Sequence, residues 1–311
     1  MYDGIINIYK EKGFTSHDVV AKLRGILKMK KIGHTGTLDP DAEGVLPVCV
    51  GKATKLCELL LEKSKTYQAT FVLGMTTDTQ DISGNVIKES DVNVTKEDIE
   101  NAIKTFIGGY DQIPPMYSAL KVNGKKLYEL AREGKEVERK PRRVVLDNIE
   151  ILDITEDLKH ITIRVDCSKG TYIRTLCHDI GEKLGCGACM ESLLRTKVDI
   201  YSIEDALRLS EVEDLVREDS LSQHIVAIED ILKGYPKVKV VDNAEKLLYN
   251  GNKLNYKNVL PRDVKESVRV YDSKDNFVAL YEYNDKYNEY RPIKMFLWFW
   301  YRNNVTIQMI V

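Results

Sequence analysis

Gly33-His34-Thr35-Gly36-Thr37-Leu38-Asp39-Pro40-Asp41-Ala42-Glu43-Gly44-Val45-Leu46-Pro47 is the run around which this chain is organised. Glycine tolerates positive φ, proline fixes φ, and aspartate hydrogen-bonds its own backbone, so a stretch this rich in all three reads as a tightly folded loop. Val45-Leu46 and then Val48-Cys49-Val50 follow directly, which leads the loop into buried structure. An aspartate before proline in such a loop is held by its backbone, and that suits a catalytic carboxylate at Asp39. The plainer alternative is an Asp that merely begins a turn, since Asp-Pro is a common turn pair.

Composition narrows the classes. The chain has 311 residues, 43% hydrophobic and 30% charged, enough for a full core in one large or two ordinary domains. Its formal net charge is −2, so any polyanion site must come from local clustering of cations. No apolar run reaches the roughly 18–20 residues that span a bilayer. The start, Met1-Tyr2-Asp3-Gly4, has neither a basic n-region nor an apolar h-region. A reducing cytoplasm with free thiols is therefore the expectation for the six cysteines. Cys186-Gly187-Ala188-Cys189 has no second pair at zinc-site spacing, so it reads as small buried residues, with no metal expected. The loop from Asp78 to Asn85 lacks the spacing and closing Glu of a calcium loop, and metal is rejected there too.

In chain order, residues 3–9 read as a strand. Thr15-Ser16 caps a helix with Val19, Val20, Leu23, Ile26 and Leu27 on one face. Residues 52–62 suit a helix, and Lys65–Leu73 alternate as a strand. Thr95-Lys96-Glu97-Asp98 forms a capping box ahead of a helix that Gly108-Gly109 should stop. Residues 144–154 and 160–167 alternate as strands. Gly170-Thr171 then opens a helix with Leu176, Ile180 and Leu184 on one face. The break at Gly234-Tyr235-Pro236 divides residues 1–233 from a small β-rich module, 234–311, with strands at 237–241, 268–272 and 277–283 and a helix at 244–249.

Two features point to chemistry. Residues 121–143 carry nine cations, among them Lys121, Lys125, Lys126, Arg132, Arg139, Lys140, Arg142 and Arg143, against four carboxylates. The segment is thus +5 within a chain of −2. With Tyr117 and Tyr128 beside them, these suit a nucleic-acid surface of cations for phosphates and aromatics for stacking. The alternative is a solvated helical hairpin. Arg174 sits in the first turn of its helix, where a cation opposes the helix dipole. A carboxylate or a phosphate should offset it, unless the side chain is simply exposed.

The motif Gly-His-Thr-Gly-Thr-Leu-Asp-Pro-x-Ala-x-Gly-Val-Leu-Pro resembles the catalytic loop of TruB-type tRNA pseudouridine synthases. Lys65-Thr66-Tyr67, Pro114–Lys121 with its basic continuation, Cys167–Gly181 and Glu191–Arg195 match the same family, in order, over almost all of residues 1–233. The part after Pro236 resembles, more faintly, that family's PUA-type RNA-binding module. The resemblance implies an α+β pseudouridine synthase fold: a mixed, mainly antiparallel central sheet flanked by helices and loops, plus a small β-rich PUA-like C-terminal domain. It implies Asp39 as the catalytic aspartate, Arg174 as its partner, Tyr67 as the ring that stacks on the target base, and His34, Tyr172 and either Leu193 or Leu194 around the pocket. It implies a basic RNA-clamping insertion at about 118–143. The implied reaction converts uridine 55 in the T loop of tRNA to pseudouridine, with no cofactor, by a cytoplasmic monomer that needs no protein partner. Two alternatives share the scaffold: a non-catalytic tRNA-binding protein, and a synthase acting on another RNA. The apolar tail at 297–311 departs from the family pattern.

Overall fold

The computed structural model describes residues 2–122 and 124–297. The apolar tail noted above lies, beyond residue 297, outside the described residues. A ten-stranded sheet forms the body: β1 (Gly4–Lys10), β2 (Ile32–His34), β3 (Glu43–Val50), β4 (Lys65–Leu73), β5 (Gly108–Gln112), β6 (Arg142–Ile154), β7 (His160–Cys167), β8 (Ala188–Val198), β9 (Tyr201–Ser202) and β10 (Ile225–Val226). Its order is β10-β1-β3-β8-β4-β7-β6-β5, with β2 on β3 and β9 on β8. Every pairing is antiparallel except β3 with β8, where Leu194 and Arg195 lie opposite Glu43 and Gly44. This is the expected mixed, mainly antiparallel sheet.

Local chemistry explains the elements. Helix α1 (Ser16–Leu27) begins at the capping box of Thr15 and Asp18, and buries Val19, Val20, Leu23 and Leu27 against β1 and β3. Strand β4 alternates as read: Lys65, Tyr67, Ala69, Phe71 and Leu73 are buried, and the residues between them are more open. Phe71, Ile161, Ile163 and Val165 then form one core with Leu176, Cys177 and Ile180 of α2 (Ile173–Leu184). Each such side chain removed from water contributes roughly 1.5–3 kcal/mol before entropy is counted. Cys186 and Cys189 are buried in the body as free thiols.

Several expectations need correction. The central loop is shorter than 33–47: its ends are strands β2 and β3, and only residues 35–42 are irregular. Pairing with β1 overrode the turn-like character of Gly44 and Pro47, while Val45-Leu46 lead into buried structure as read. Residues 52–62 do not form one helix. Gly51–Leu56 is a 3₁₀ turn and only Cys57–Leu61 is α-helical. The helix behind Thr95 ends at Lys104, and Gly108-Gly109 opens β5 instead of serving as its stop. The basic insertion is no helical hairpin. It holds a small ladder, Lys121–Val122 with Lys125–Lys126, then the short helix Leu127–Arg132.

The chain passes to a second, six-stranded sheet between Val226 and Lys237. Its strands at Lys237–Val240, Val268–Tyr271 and Phe277–Asn284, and its helix Glu245–Tyr249, are those expected from the pattern. The strands Leu254–Asn255, Val259–Leu260 and Glu289–Met295 were not anticipated. Glu289–Met295 carries Pro292, which masks a strand in sequence terms. This β unit has its own core around Val238, Val270, Ala279 and Tyr281. Its Leu280 and Phe296 pack with Ile5, Leu56, Leu60 and Ile228 of the first unit.

Candidate active site

The site forms where the loop of residues 35–42 crosses the β3–β8 pairing. Asp39 begins a turn in that loop, its carbonyl accepting the Ala42 N–H at 3.2 Å. The turn-forming and catalytic readings of Asp39 are therefore compatible. Four loop carbonyls are held by buried donors. Arg195, 1% exposed, reaches the Gly36 carbonyl at 3.2 Å and the Val45 carbonyl at 2.7 Å. The Ser16 hydroxyl lies 3.3 Å from the Leu38 carbonyl and accepts the Leu38 N–H at 2.9 Å. Lys10, fully buried, donates to the Pro40 and Ala42 carbonyls at 3.0 and 2.6 Å. Burial pushes the Lys10 ammonium down to about 8, while Glu43, Asp39 and Asp41 pull it back. Gly44 is required where the loop rejoins the sheet: at φ +104° a Cβ would fall on the Arg195 main chain.

Arg174 supplies the site's cation. It is the second residue of α2 and 5% exposed, so the exposed-arginine alternative is excluded. Its Nε lies 3.0 Å from the Asp39 carboxylate, and its Nη1 lies 3.5 Å from that of Asp81. Nη1 donates to the Thr79 carbonyl at 3.0 Å and Nη2 to the Tyr117 carbonyl at 2.8 Å. The anion that its position demanded is thus a carboxylate pair. Asp78 and Asp81, once weighed as calcium ligands, are engaged within their own loop: Asn85 N–H donates to Asp78, and Ser83 N–H and the Thr79 hydroxyl donate to Asp81.

Tyr67 is 9% exposed and shares a cluster with Leu38, Ala42 and Leu193. It lies opposite Arg195 in the β4–β8 register. Burial pushes its phenol up, partly offset by the Arg195 guanidinium. Leu193 packs into the cluster with Tyr67, and Leu194, half-buried, alternates to the other face. Tyr172 is the half-buried N-cap residue of α2. His34 packs edge-on against His17, ring centroids 5.3 Å apart, and its Nδ1 accepts the Gly36 N–H at 3.3 Å. Burial, together with His17 and Arg195, lowers His34 to about 4, so it is a neutral ring at physiological pH.

The basic insertion divides. Lys125, Arg139 and Arg143 pair with Glu133, Glu136 and Asp111 at 3.6, 3.0 and 3.7 Å. Arg139 also donates to the Pro114 carbonyl at 3.3 Å, and so ties the insertion to its own root. Lys126 and Arg132 lie over the Tyr128 ring, 5.3 and 5.5 Å from its centroid. Lys121, Lys140 and Arg142 are exposed, with no carboxylate within 4.0 Å among the described residues. Sequence reading gave no role to Lys10, Gln112 or Arg195, and considered Asp81 only as a metal ligand. For Arg195 a signal existed: it is two residues from Leu193, hence on the same strand face. Among the described residues no cluster of three or more His, Cys, Asp or Glu could hold a metal ion.

The family model of the TruB family pseudouridylate synthase N-terminal domain matches residues 24–173, and that of the tRNA pseudouridylate synthase B C-terminal domain matches residues 174–233. A tRNA pseudouridine synthase B of Lachnoclostridium phytofermentans is 55% identical over 306 residues, 95% of this chain and 100% of that protein. One of Staphylococcus aureus is 45% identical over 305 residues, with the same coverages of 95% and 100%. Of the solved structures, a chain of a Cbf5-Nop10-Gar1 complex superposes with a TM-score of 0.71 at 30% identity, covering 94% of this chain and 85% of its own. Another, from the archaeal box H/ACA sRNP Nop10-Cbf5 complex, gives 0.69 at 28% identity, covering 96% and 88%. Fold and sequence together define an isomerase of the pseudouridine synthase class. The chain belongs to the TruB family of pseudouridylate synthases.

Proposed function

We propose that this protein converts uridine 55, in the T loop of tRNA, to pseudouridine, with Asp39 as the catalytic carboxylate. The observation that carries the reading is the Asp39–Arg174 pair at 3.0 Å, on a loop whose carbonyls are fixed by buried donors. A stacked uridine must be extruded before an enzyme reaches it, at a cost of a few kcal/mol. Stacking on Tyr67 returns about 1–3 kcal/mol. Leu193, Tyr172 and the neutral His34 complete an uncharged wall suited to a base and unsuited to a phosphate. The reaction breaks the N1–C1′ bond, turns the uracil and forms a C5–C1′ bond. The carbon-5 proton departs and N1 gains one, so no electrons or groups are exchanged with a cofactor. Asp39 serves beside ribose and base as nucleophile or base. With its phenol pushed up by burial, Tyr67 is suited to stacking more than to acting as a free phenolate. The exposed cations Lys121, Lys140 and Arg142, with Lys126 and Arg132 against Tyr128, contact RNA phosphates, and the β-rich second unit extends that surface as a PUA-like module. The protein acts on the T arm as a cytoplasmic monomer without an obligate partner.

The test is Asp39→Asn with unmodified tRNA labelled with tritium at uridine carbon 5. Tritium release should vanish while tRNA binding stays near wild type, and sequencing of the wild-type product should place the pseudouridine at position 55. Release by the variant close to wild type, or product outside the T loop, defeats the proposal.

A further inference from the structure

We propose that Gln112 is a positioning residue for the isomerisation, setting the Asp39–Arg174 pair through the main chain of Tyr172. The inference rests on the reading of Asp39 and Arg174 given above. Gln112 ends β5 and is 1% exposed. It stands opposite Arg142, so the whole basic excursion leaves and re-enters the sheet beside it. Its carboxamide grips one residue twice: Oε1 accepts the Tyr172 N–H at 2.8 Å, and Nε2 donates to the Tyr172 carbonyl at 3.0 Å. A neighbouring strand would satisfy a residue in just this way. Tyr172 belongs to no strand, so the side chain stands in for one. The amide orientation follows from its partners, since an N–H needs an acceptor and a carbonyl needs a donor.

Tyr172 is where α2 begins, and it offers no side-chain cap of its own. Its carbonyl also accepts the Leu176 N–H at 3.1 Å, so Gln112 takes the second lone pair. Arg174 lies two residues on. The same excursion returns to it at Tyr117, whose carbonyl accepts from Nη2 at 2.8 Å. Residues 112 and 117 therefore hold the first turn of α2 at two points, and the guanidinium between them is aimed at Asp39. Without Gln112 the helix start is free to shift, and a displacement of about 1 Å in a reacting arrangement can cost 10²-fold in rate.

Gln112→Met removes both bonds to Tyr172, and with them the one that Nε2 donates to the Tyr110 hydroxyl, at similar volume, and Gln112→Glu keeps the acceptor but, when ionised, loses the donor. Total pseudouridine formed in unmodified tRNA is measured by tritium release, with thermal melting to confirm folding. Gln112→Met should lower kcat at least tenfold while KM for tRNA stays within about twofold. In an Arg174→Met background, read by single turnover, the same change should cost less than twofold, because Gln112 acts through Arg174. Gln112→Glu should recover activity relative to wild type as pH falls and its carboxyl regains a proton to donate, and this variant decides the matter if Gln112→Met does not fold. A folded Gln112→Met with kcat within twofold of wild type overturns the inference. So do losses that multiply in the Arg174→Met background, or a Gln112→Glu profile parallel to wild type. Full activity of Asp39→Asn would instead overturn the reading on which it rests.

Discussion

Replacing Arg174 with lysine keeps the charge and removes the fork, which makes it the most discriminating single change. The guanidinium spans four oxygens in different directions: Asp39 at 3.0 Å, Asp81 at 3.5 Å, the Thr79 carbonyl at 3.0 Å and the Tyr117 carbonyl at 2.8 Å. An ammonium is a compact point charge with a shorter reach and cannot serve all four. If it stays with one carboxylate, at least two partly buried acceptors lose a donor. Each such loss costs about 1–3 kcal/mol, and because the groups share one network the sum is less than additive. A net loss of about 2–3 kcal/mol is expected, or a fall in Tm on the order of 3–6 °C. The catalytic effect should be larger than this stability effect implies, because Asp39 is aimed by the lost contact. A fall in kcat of about 10²-fold is expected, with KM for tRNA nearly unchanged. Single-turnover tritium release and filter binding separate the two quantities. A folded Arg174→Lys with kcat within threefold of wild type would refute the argument that the fork aims the carboxylate. A loss confined to binding would do the same.

Lys10 gives a pH signature. Its folded value, about 8, lies below the unfolded 10.5, so the unfolded chain binds more protons between those values, and stability should rise with pH through that window. The difference between wild type and Lys10→Met should change by about 3 kcal/mol across it, and a flat difference curve in pH-dependent denaturation would reject the assignment. Gly44→Ala should cost about 2–4 kcal/mol, against about 1 kcal/mol for Gly13→Ala, since both have positive φ but only Gly44 faces a neighbouring main chain. Equal melting temperatures for the two would contradict that difference. Replacing Lys121, Lys140 and Arg142 together by glutamine should weaken tRNA binding and reduce the log–log salt slope by about 2–3, with kcat at saturating tRNA preserved. An unchanged slope would remove these residues from the RNA surface.

The N-cap at Thr15, the capping box at Thr95 and the alternation of β4 are read correctly from the chain because each is written in neighbouring residues. Asp39, Tyr67 and Arg174 also stand out, through motifs whose order resembles one family. The errors have a shared origin. Gly44 and Pro47 look like loop until β1 pairs with both, and Pro292 hides a strand until Phe277–Asn284 pairs with it. Arg174 advertises a missing anion, but whether that anion is a carboxylate or a phosphate depends on residues far away in sequence. Arg195 meets Gly36 across 159 positions and Lys10 meets Ala42 across 32, and such buried donors have no local signature. Leu193 and Leu194 are equivalent on paper, and only the β4–β8 register turns Leu193 toward Tyr67. Periodicity and turn chemistry, being local, determined the elements and the candidate residues. Long-range pairing alone decided which buried group holds which carbonyl, because that energy exists only once distant segments meet.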